Sequence, residues 1–465
     1  MSPRLVVVLF VIAALTAGLA NAQPELEQTV RERTGKQIEL RKDAGVDDQT
    51  AHHIHALVHR PLTADSAVQV ALLNNRELQA TFEDIGIAHA DLIEAGLLKN
   101  PTFAISARFP DRPPSATNIE TSIAEDFFDV LLVPLRKKVA ASELARTKLR
   151  VGDEILKLAA EVQTAFYEMQ AQQQLLARLT AINETEAAAL ELSIRQHEAG
   201  NIPDLDLANE QATYSQIKLD ANQVATAISS SRERLNRLLG LWGSDTDWKI
   251  VEELRTVPTK DFPERGLESI AMSQRLDLAV AKTEVLALVQ SLGLTKTYRY
   301  VGAIEFGVDS ERETDRQRVT GPTLRLDVPI FNRGQGRIAK LEAQLRQAER
   351  RVEADAIAIR ADVREARDRV IAKRDLAIYY RDNLLPERHR ILELTLAGYN
   401  SMLKSPYDLL FAKQNELSAD KGFIDAWRDY WIARADLERA VGGRLGASAG
   451  ATDRTASSFK ETKTP

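Results

Sequence analysis

Four of the seven histidines, His52, His53, His55 and His59, fall within eight residues of one another. Imidazole binds zinc and copper, so this cluster is the first candidate for metal capture. It lacks a helix-spaced pair with an acid beside it to complete a site, and a solvated polar segment is the plainer reading. Gly334-Gln335-Gly336 has neither the third glycine nor the βαβ setting of a dinucleotide loop, and reads as an elbow from strand into helix. His197-Glu198 does not extend to a zinc-protease motif, and Asn183-Glu184-Thr185 is a glycosylation sequon by pattern only, inside a helix. No Gly-x-Ser-x-Gly elbow and no paired catalytic carboxylates occur. The expectation is therefore a protein that is not an enzyme and needs no cofactor. The absence of cysteine excludes disulfides, thiolate metal sites, a cysteine nucleophile and lipidation through cysteine. The 61 basic and 67 acidic residues are interspersed, for a net charge of −6, which argues against nucleic acid as a partner.

The elements around these residues begin with a secretory signal over residues 1–22. Arg4 gives the positive start, Leu5 to Ala14 the apolar run, and Ala20-Asn21-Ala22 a small-x-small cleavage site ahead of Gln23. Beyond Gln23 no stretch reads as an apolar helix of the ~20 residues needed to cross a bilayer. Any spanning element is then expected to be a strand of a closed barrel.

The chain says the same thing twice, roughly two hundred residues apart. Ala199-Gly200-Asn201 is echoed by Ala397-Gly398-Tyr399, Asp206-Leu207 by Asp408-Leu409, and Leu238-Leu239-Gly240 by Ala440-Val441-Gly442. A duplication of this size sets the architecture before any one motif. It divides the mature chain into a polar, extended segment over 23–60, a first repeat over 61–240, a linker over 241–264, a second repeat over 265–443 and a polar tail over 444–465. Each repeat reads as helix, two strands, long helix and return helix.

Helical periodicity runs from Leu62 to Leu98, from Pro134 to Glu198, and from Gln335 to Leu396 with a kink expected at Pro386. Asp204–Leu239 and Tyr407–Val441 are the return helices. Brief loops at Gly200 and Gly398 make each long-short pair an antiparallel hairpin. Four segments alternate with period two: Thr102–Phe109, Ile119–Asp129, Tyr298–Val308 and Thr323–Ile330. Phe103, Ile105, Ile304, Phe306, Leu324, Leu326 and Val328 form the apolar set, expected to face lipid. Arg108, Arg299, Glu305, Arg325 and Asp327 lie opposite, toward a lumen. Four strands cannot close a barrel, since the smallest membrane barrels use about eight. An open sheet in lipid would leave edge hydrogen bonds unmade. Several copies must therefore contribute strands to one barrel.

Several stretches together resemble the TolC-like outer membrane efflux proteins of Gram-negative bacteria, from about Pro61 to Gly443. They are Leu62-Thr63 through Ala71-Leu72-Leu73-Asn74-Asn75-Arg76-Glu77-Leu78; Ala95-Gly96-Leu97-Leu98-Lys99-Asn100-Pro101; Leu235-Asn236-Arg237-Leu238-Leu239-Gly240; and Asp327-Val328-Pro329-Ile330-Phe331-Asn332-Arg333-Gly334. The resemblance implies a mainly α protein with a transmembrane β-barrel. Three copies would give twelve strands in the outer membrane, four per chain, continued by an α-helical barrel across the periplasm. It implies an exit duct fed by an inner-membrane transporter through a periplasmic adaptor, with outer-membrane lipid around the strands. The duct would carry small molecules or metal ions, or proteins in a type I secretion system. The hairpin turns at Gly200 and Gly398 would form a closed periplasmic tip. Asp408 matches one of the family's acidic gate residues, but the second position holds Phe411. Asp206 is its first-repeat counterpart, with Asp204 beside it. A ring of such carboxylates favours cations; alternatively Asp204 and Asp206 only suit the start of a helix. The rival readings are a periplasmic coiled-coil scaffold or adaptor and, more weakly, a periplasmic hydrolase.

Overall fold

The computed structural model describes residues 23–38, 48–114, 116–252, 254–260, 262, 265–300 and 304–445. The signal sequence and nearly all of the C-terminal tail lie outside these residues. In chain order the long elements are α1 (Gln23–Thr34), α2 (Asp48–Val58), α3 (Ala64–Asn74), α4 (Arg76–Ala95), β1 (Thr102–Arg108), β2 (Asn118–Asp126), α5 (Phe127–Glu198) and α6 (Asp204–Leu239). They continue with α7 (Leu267–Gln274), α8 (Leu276–Tyr298), β3 (Ile304–Arg312), β4 (Arg318–Leu326), α9 (Gln335–Tyr379), a π turn (Tyr380–Leu384), α10 (Leu385–Asn400) and α11 (Pro406–Val441). The described residues form two compact units: one within 80–151 and 276–357, which holds the sheet, and one within 23–79, 152–275 and 358–445, which holds the hairpin ends.

Two helix breaks in the two halves have matching backbone angles. The single expected helix over 62–98 is interrupted at Asn75 (φ −63°, ψ 120°), and α7 and α8 are interrupted alike at Arg275 (φ −60°, ψ 121°). Each break receives the end of a return helix. Gly240 and Gly442 both close their helices in the left-handed region, at φ 69° and 91°. A Cβ on Gly240 would lie 2.5 Å from the Asn74 carbonyl oxygen, and one on Gly442 3.0 Å from the Arg275 nitrogen. Only glycine satisfies both the turn and the approach. Asn74 Nδ2 donates to the Leu239 and Gly240 carbonyls at 3.0 and 2.8 Å, and Asn75 Nδ2 to that of Leu238 at 2.9 Å. The Asn74-Asn75 and Leu238-Leu239-Gly240 motifs are thus two halves of one contact.

The sheet is antiparallel in the order β1-β2-β3-β4. Phe103 faces Ile123, Ile123 faces Val308, Phe306 faces Leu324 and Ile304 faces Leu326. Residues directly opposed across strands share a face, so the apolar sets of all four strands form one surface. Neither β1 nor β4 has a partner on its outer edge among the described residues.

Several boundaries and one exclusion differ from the sequence reading. The segment 23–60 is not extended: it carries α1 and α2, whose Leu26, Val30, Ile54 and Val58 are buried. The third strand begins at Ile304, not Tyr298, and the fourth spans Arg318–Leu326, not Thr323–Ile330. Val301–Ala303 lie outside the described residues. Helix α5 begins seven residues before Pro134, directly after β2, where buried Asp129 accepts from Arg136 at 2.9 Å. One helix does pass the length and composition test for crossing a bilayer: α8 has an apolar window of mean hydropathy 1.3, of which almost none is buried. The sequence reading missed it because Asp277, Lys282, Glu284 and Lys296 punctuate the run.

Candidate functional site

Two groups of residues carry the functional expectation, and each lies within one unit. The first is the sheet. Its apolar face is open, with Phe103 69%, Phe306 56% and Leu324 58% exposed. Its other face is charged and internally paired. Arg108 meets Glu120 across β1 and β2 at 3.4 Å, Arg325 meets Glu305 across β3 and β4 at 2.7 Å, and Asn118 donates to Glu311 at 2.6 Å. Arg108, Glu305 and Arg325 therefore stand together on the polar face, as their alternation implied. Phe103, Ile105, Ile304, Phe306, Leu324 and Leu326 stand on the apolar one.

Three residues of the expected set fall outside the strands. Arg299 lies just after α8, its guanidinium 4.4 Å from the Tyr300 ring. Asp327 and Val328 follow the end of β4. The alternation continues past the strand at both places, which is why spacing alone could not find the ends.

The second group is the pair of hairpin ends. Gly200, at φ 75°, makes the first turn. The second turn is built by Ser401 to Ser405, with Met402 at φ 58°, whereas Gly398 stays inside α10. There it leaves room for Lys404, whose Cγ would lie 2.8 Å from a Cβ, while the Gly398 carbonyl accepts from the Leu403 nitrogen at 2.8 Å. At the 202-residue offset that relates Asp206 to Asp408, it is Met402 and not Gly398 that corresponds to Gly200, and the two turns are of equal length.

Asp408 is the third residue of α11 and half of a capping box. Its Oδ2 accepts from the Ser405 nitrogen and hydroxyl, each at 3.0 Å, and its own nitrogen donates to Ser405 Oγ at 3.2 Å. These bonds, the backbone one first, hold the Asp408 carboxyl below the usual range. Asp206 makes no cap. It accepts from the Tyr407 hydroxyl, which itself accepts from Asn209 Nδ2 at 3.1 Å. That bond to Asp206 raises the Tyr407 phenol above its ordinary value. Asp204 Oδ1 lies 2.6 Å from His197 Nε2, tying the end of α5 to the start of α6.

Further from the turn, α11 is held by three polar contacts to two helices. Lys413 Nζ lies 3.0 Å from buried Glu186 on α5, Asp420 accepts from Arg178 of α5 at 2.7 Å, and Glu416 lies 2.9 Å from His389 of α10. Glu210 of α6 adjoins Glu186, and burial followed by the Glu186 charge raises its carboxyl pKa. Sequence reasoning missed Tyr407, Glu186, Glu210 and Lys413. A glutamate just before the alanine run Ala187-Ala188-Ala189 was the one available sign that a charge is buried there.

His52, His53, His55 and His59 lie exposed on or just after α2, with the His55 and His59 rings stacked 3.8 Å apart. No group of three or more His, Cys, Asp or Glu side chains close enough to hold a metal occurs among the described residues.

Residues 271–443 match the family model described as outer membrane efflux protein. The fold is shared with a membrane protein of Pseudomonas aeruginosa at 20% identity and TM-score 0.71, covering 82% of this chain and 92% of that one. It is shared with the CmeC outer membrane channel of Campylobacter jejuni at 16% and 0.70, covering 82% and 85%. It is also shared with the outer membrane protein VceC of Vibrio cholerae at 14% and 0.68, covering 82% and 97%. By sequence, no curated protein matches the chain. Over residues 271–443 the chain thus matches the outer membrane efflux protein family, and over most of its length it shares the fold of solved outer membrane channels.

Proposed function

We propose that three copies of this chain form the passive exit duct of a tripartite efflux system in the outer membrane, carrying small molecules or metal ions delivered by an inner-membrane transporter through a periplasmic adaptor. The observation that carries it is the sheet: four strands, one open apolar face, one ion-paired polar face and two unpaired edges. In lipid such edges cost several kcal/mol for each unmade hydrogen bond, which pairing β1 of one copy with β4 of the next removes. The open apolar side of α8 fits the same assembly, as a surface between copies. Leu205, Met402, Leu403 and Phe411 expose apolar surface at the hairpin ends, where an adaptor would dock.

The gate would lie at these hairpin ends. Tyr407 and Asp206 tie the second hairpin to the first, so release of that bond frees α11 at its start. Asp408 keeps its charge at neutral pH and in three copies would form a cation-attracting ring.

The assembly is tested by native mass spectrometry after a carbonate wash of outer-membrane material. A detergent-stable trimer is expected, whereas a monodisperse monomer that still inserts into bilayers, or recovery in the soluble periplasm, would sink the duct. In the same assay Leu324→Arg should lose trimer, since arginine near the bilayer midplane costs about 2–4 kcal/mol, while Arg325→Ala should assemble.

A further inference from the structure

A cavity of about 600 Å³ lies in the second unit, between the start of α3, the middle of α5, the segment after Val251 and the end of α11. That volume is within the range of small-molecule sites, roughly 300–1,000 Å³. Its apolar wall is aromatic: Phe166, Tyr167 and Trp431, with Tyr167 stacked on Trp431 at 5.6 Å. Its polar wall holds three guanidiniums, of Arg255, Arg434 and Arg444, against two carboxylates, Asp65 and Glu438.

The carboxylates are already engaged. Glu438 pairs with Arg434 at 3.3 Å, and Asp65 pairs with Lys36 at 2.9 Å and Arg444 at 4.0 Å. Arg255 has no carboxylate within ion-pair distance among the described residues; its guanidinium sits over the Trp431 ring, 4.8 Å from the centroid. The tryptophans sharpen the point. Trp248 donates its indole N–H to Asn236 at 2.8 Å and Trp427 to the Arg255 carbonyl at 2.7 Å. Trp431 is 4% exposed, yet its Nε1 meets no acceptor among the described residues. A buried N–H left unpaired forfeits its bond to water without a replacement. The cavity therefore offers a cation and a hydrogen-bond donor that both lack an anionic acceptor, beside stacked rings.

We infer that this cavity is a binding site for an organic anion with a flat apolar body, its carboxylate accepting from Arg255 and the Trp431 indole and its rings lying against Tyr167 and Phe166. This is a site in the wall of the helical unit and is independent of the duct reading.

The probe is 2-naphthoate, with 2-naphthamide as its neutral counterpart. Both are titrated by equilibrium dialysis against the full-length protein in lipid nanodiscs, with empty nanodiscs subtracted. Saturable binding of one naphthoate per chain is expected, with the amide at least about ten-fold weaker, the scale of a charge-assisted bond. Arg255→Gln should weaken naphthoate by about the same factor and leave the amide unchanged. Trp431→Phe, which keeps a ring and removes the N–H, should weaken it several-fold. Non-saturable uptake, equal affinity for acid and amide, or unchanged binding in both variants overturns the inference. Should Arg255→Gln fail to fold, the acid–amide comparison and Trp431→Phe decide it alone.

Discussion

The two hairpins share one order of elements but are jointed differently. In the first, α5 runs unbroken for 72 residues to the turn, and α6 starts behind Pro203 with no side-chain cap. In the second, the outgoing arm is interrupted by the π turn at Tyr380–Leu384, and α11 starts on the Ser405–Asp408 capping box. The cause of the interruption is local. Pro386 has no N–H to give, and widening the preceding turn absorbs the missing bond. The widened turn pushes the Tyr380 ring onto α11, where a Cβ on Gly422 would lie 2.6 Å from its hydroxyl oxygen. The first hairpin thus has an unbroken outgoing helix and an uncapped return helix, and the second an interrupted outgoing helix and a capped return helix.

The largest effect expected from this difference is at the joint. Gly422→Leu drives a side chain into Tyr380 and should cost about 1–3 kcal/mol as overpacking. Asp220→Leu, at the equivalent place in the first repeat, should stay within about 0.5 kcal/mol. Thermal melting of the detergent-held protein compares them, and equal losses would remove the asymmetry.

Next in size is the tie between the hairpins. Tyr407→Phe removes the bonds to both Asp206 and Asn209 and Asp206→Ala removes the first of these, and each should raise single-channel conductance of the reconstituted protein. The double variant should add little to either, since both remove the same contact. Additive increases would mean that the two residues act separately.

A third expectation concerns pH. The Glu210 pKa is raised in the folded state, so its favourable contribution is present below the ordinary glutamate value, about 4.3, and is lost as pH rises through the raised one. Glu186 repels its charge and Lys413 partly offsets this. Wild type and Glu210→Gln should therefore melt alike in acid, with Glu210→Gln the more stable at neutral pH. A constant gap across the range would locate the effect elsewhere.

The smallest effect is at Asp408. Asp408→Ala should weaken block by divalent cations in single-channel recordings while the trimer persists; unchanged block would assign the constriction to other residues.

Much of this was legible in the sequence, and the misses have physical causes. The return helix Asp204–Leu239 was read to the residue because Pro203 and Gly240 mark its ends chemically. β1 was placed because Pro101 and Pro110 bracket it. Strands β3 and β4 slipped by several residues because alternation runs beyond the hydrogen-bonded ladder, from Tyr298 on one side and to Ile330 on the other. The break at Asn75 carried no proline or glycine, and only the arrival of Gly240 from far along the chain explains it. The roles of Asp206 and Asp408 were equally out of reach, since a capping box and a bond to Tyr407 depend on which hydroxyl lies nearby, and the sequence offers several.

The polar face of the sheet has an electrical consequence. Once Arg108 and Arg325 are matched with Glu120 and Glu305, Asp309 and Glu311 remain without an ion-pair partner among the described residues. Closed into a ring, that surplus would recur once per copy at the same height, as a belt of fixed negative charge around the bore. Mobile potassium would be enriched there over chloride, and a salt gradient across the reconstituted protein would set up a diffusion potential of cation-selective sign. At physiological salt the belt reaches only about 8 Å into the solution. Selectivity should therefore fade as the bathing salt is concentrated, and a neutral, wide passage would be left at high ionic strength.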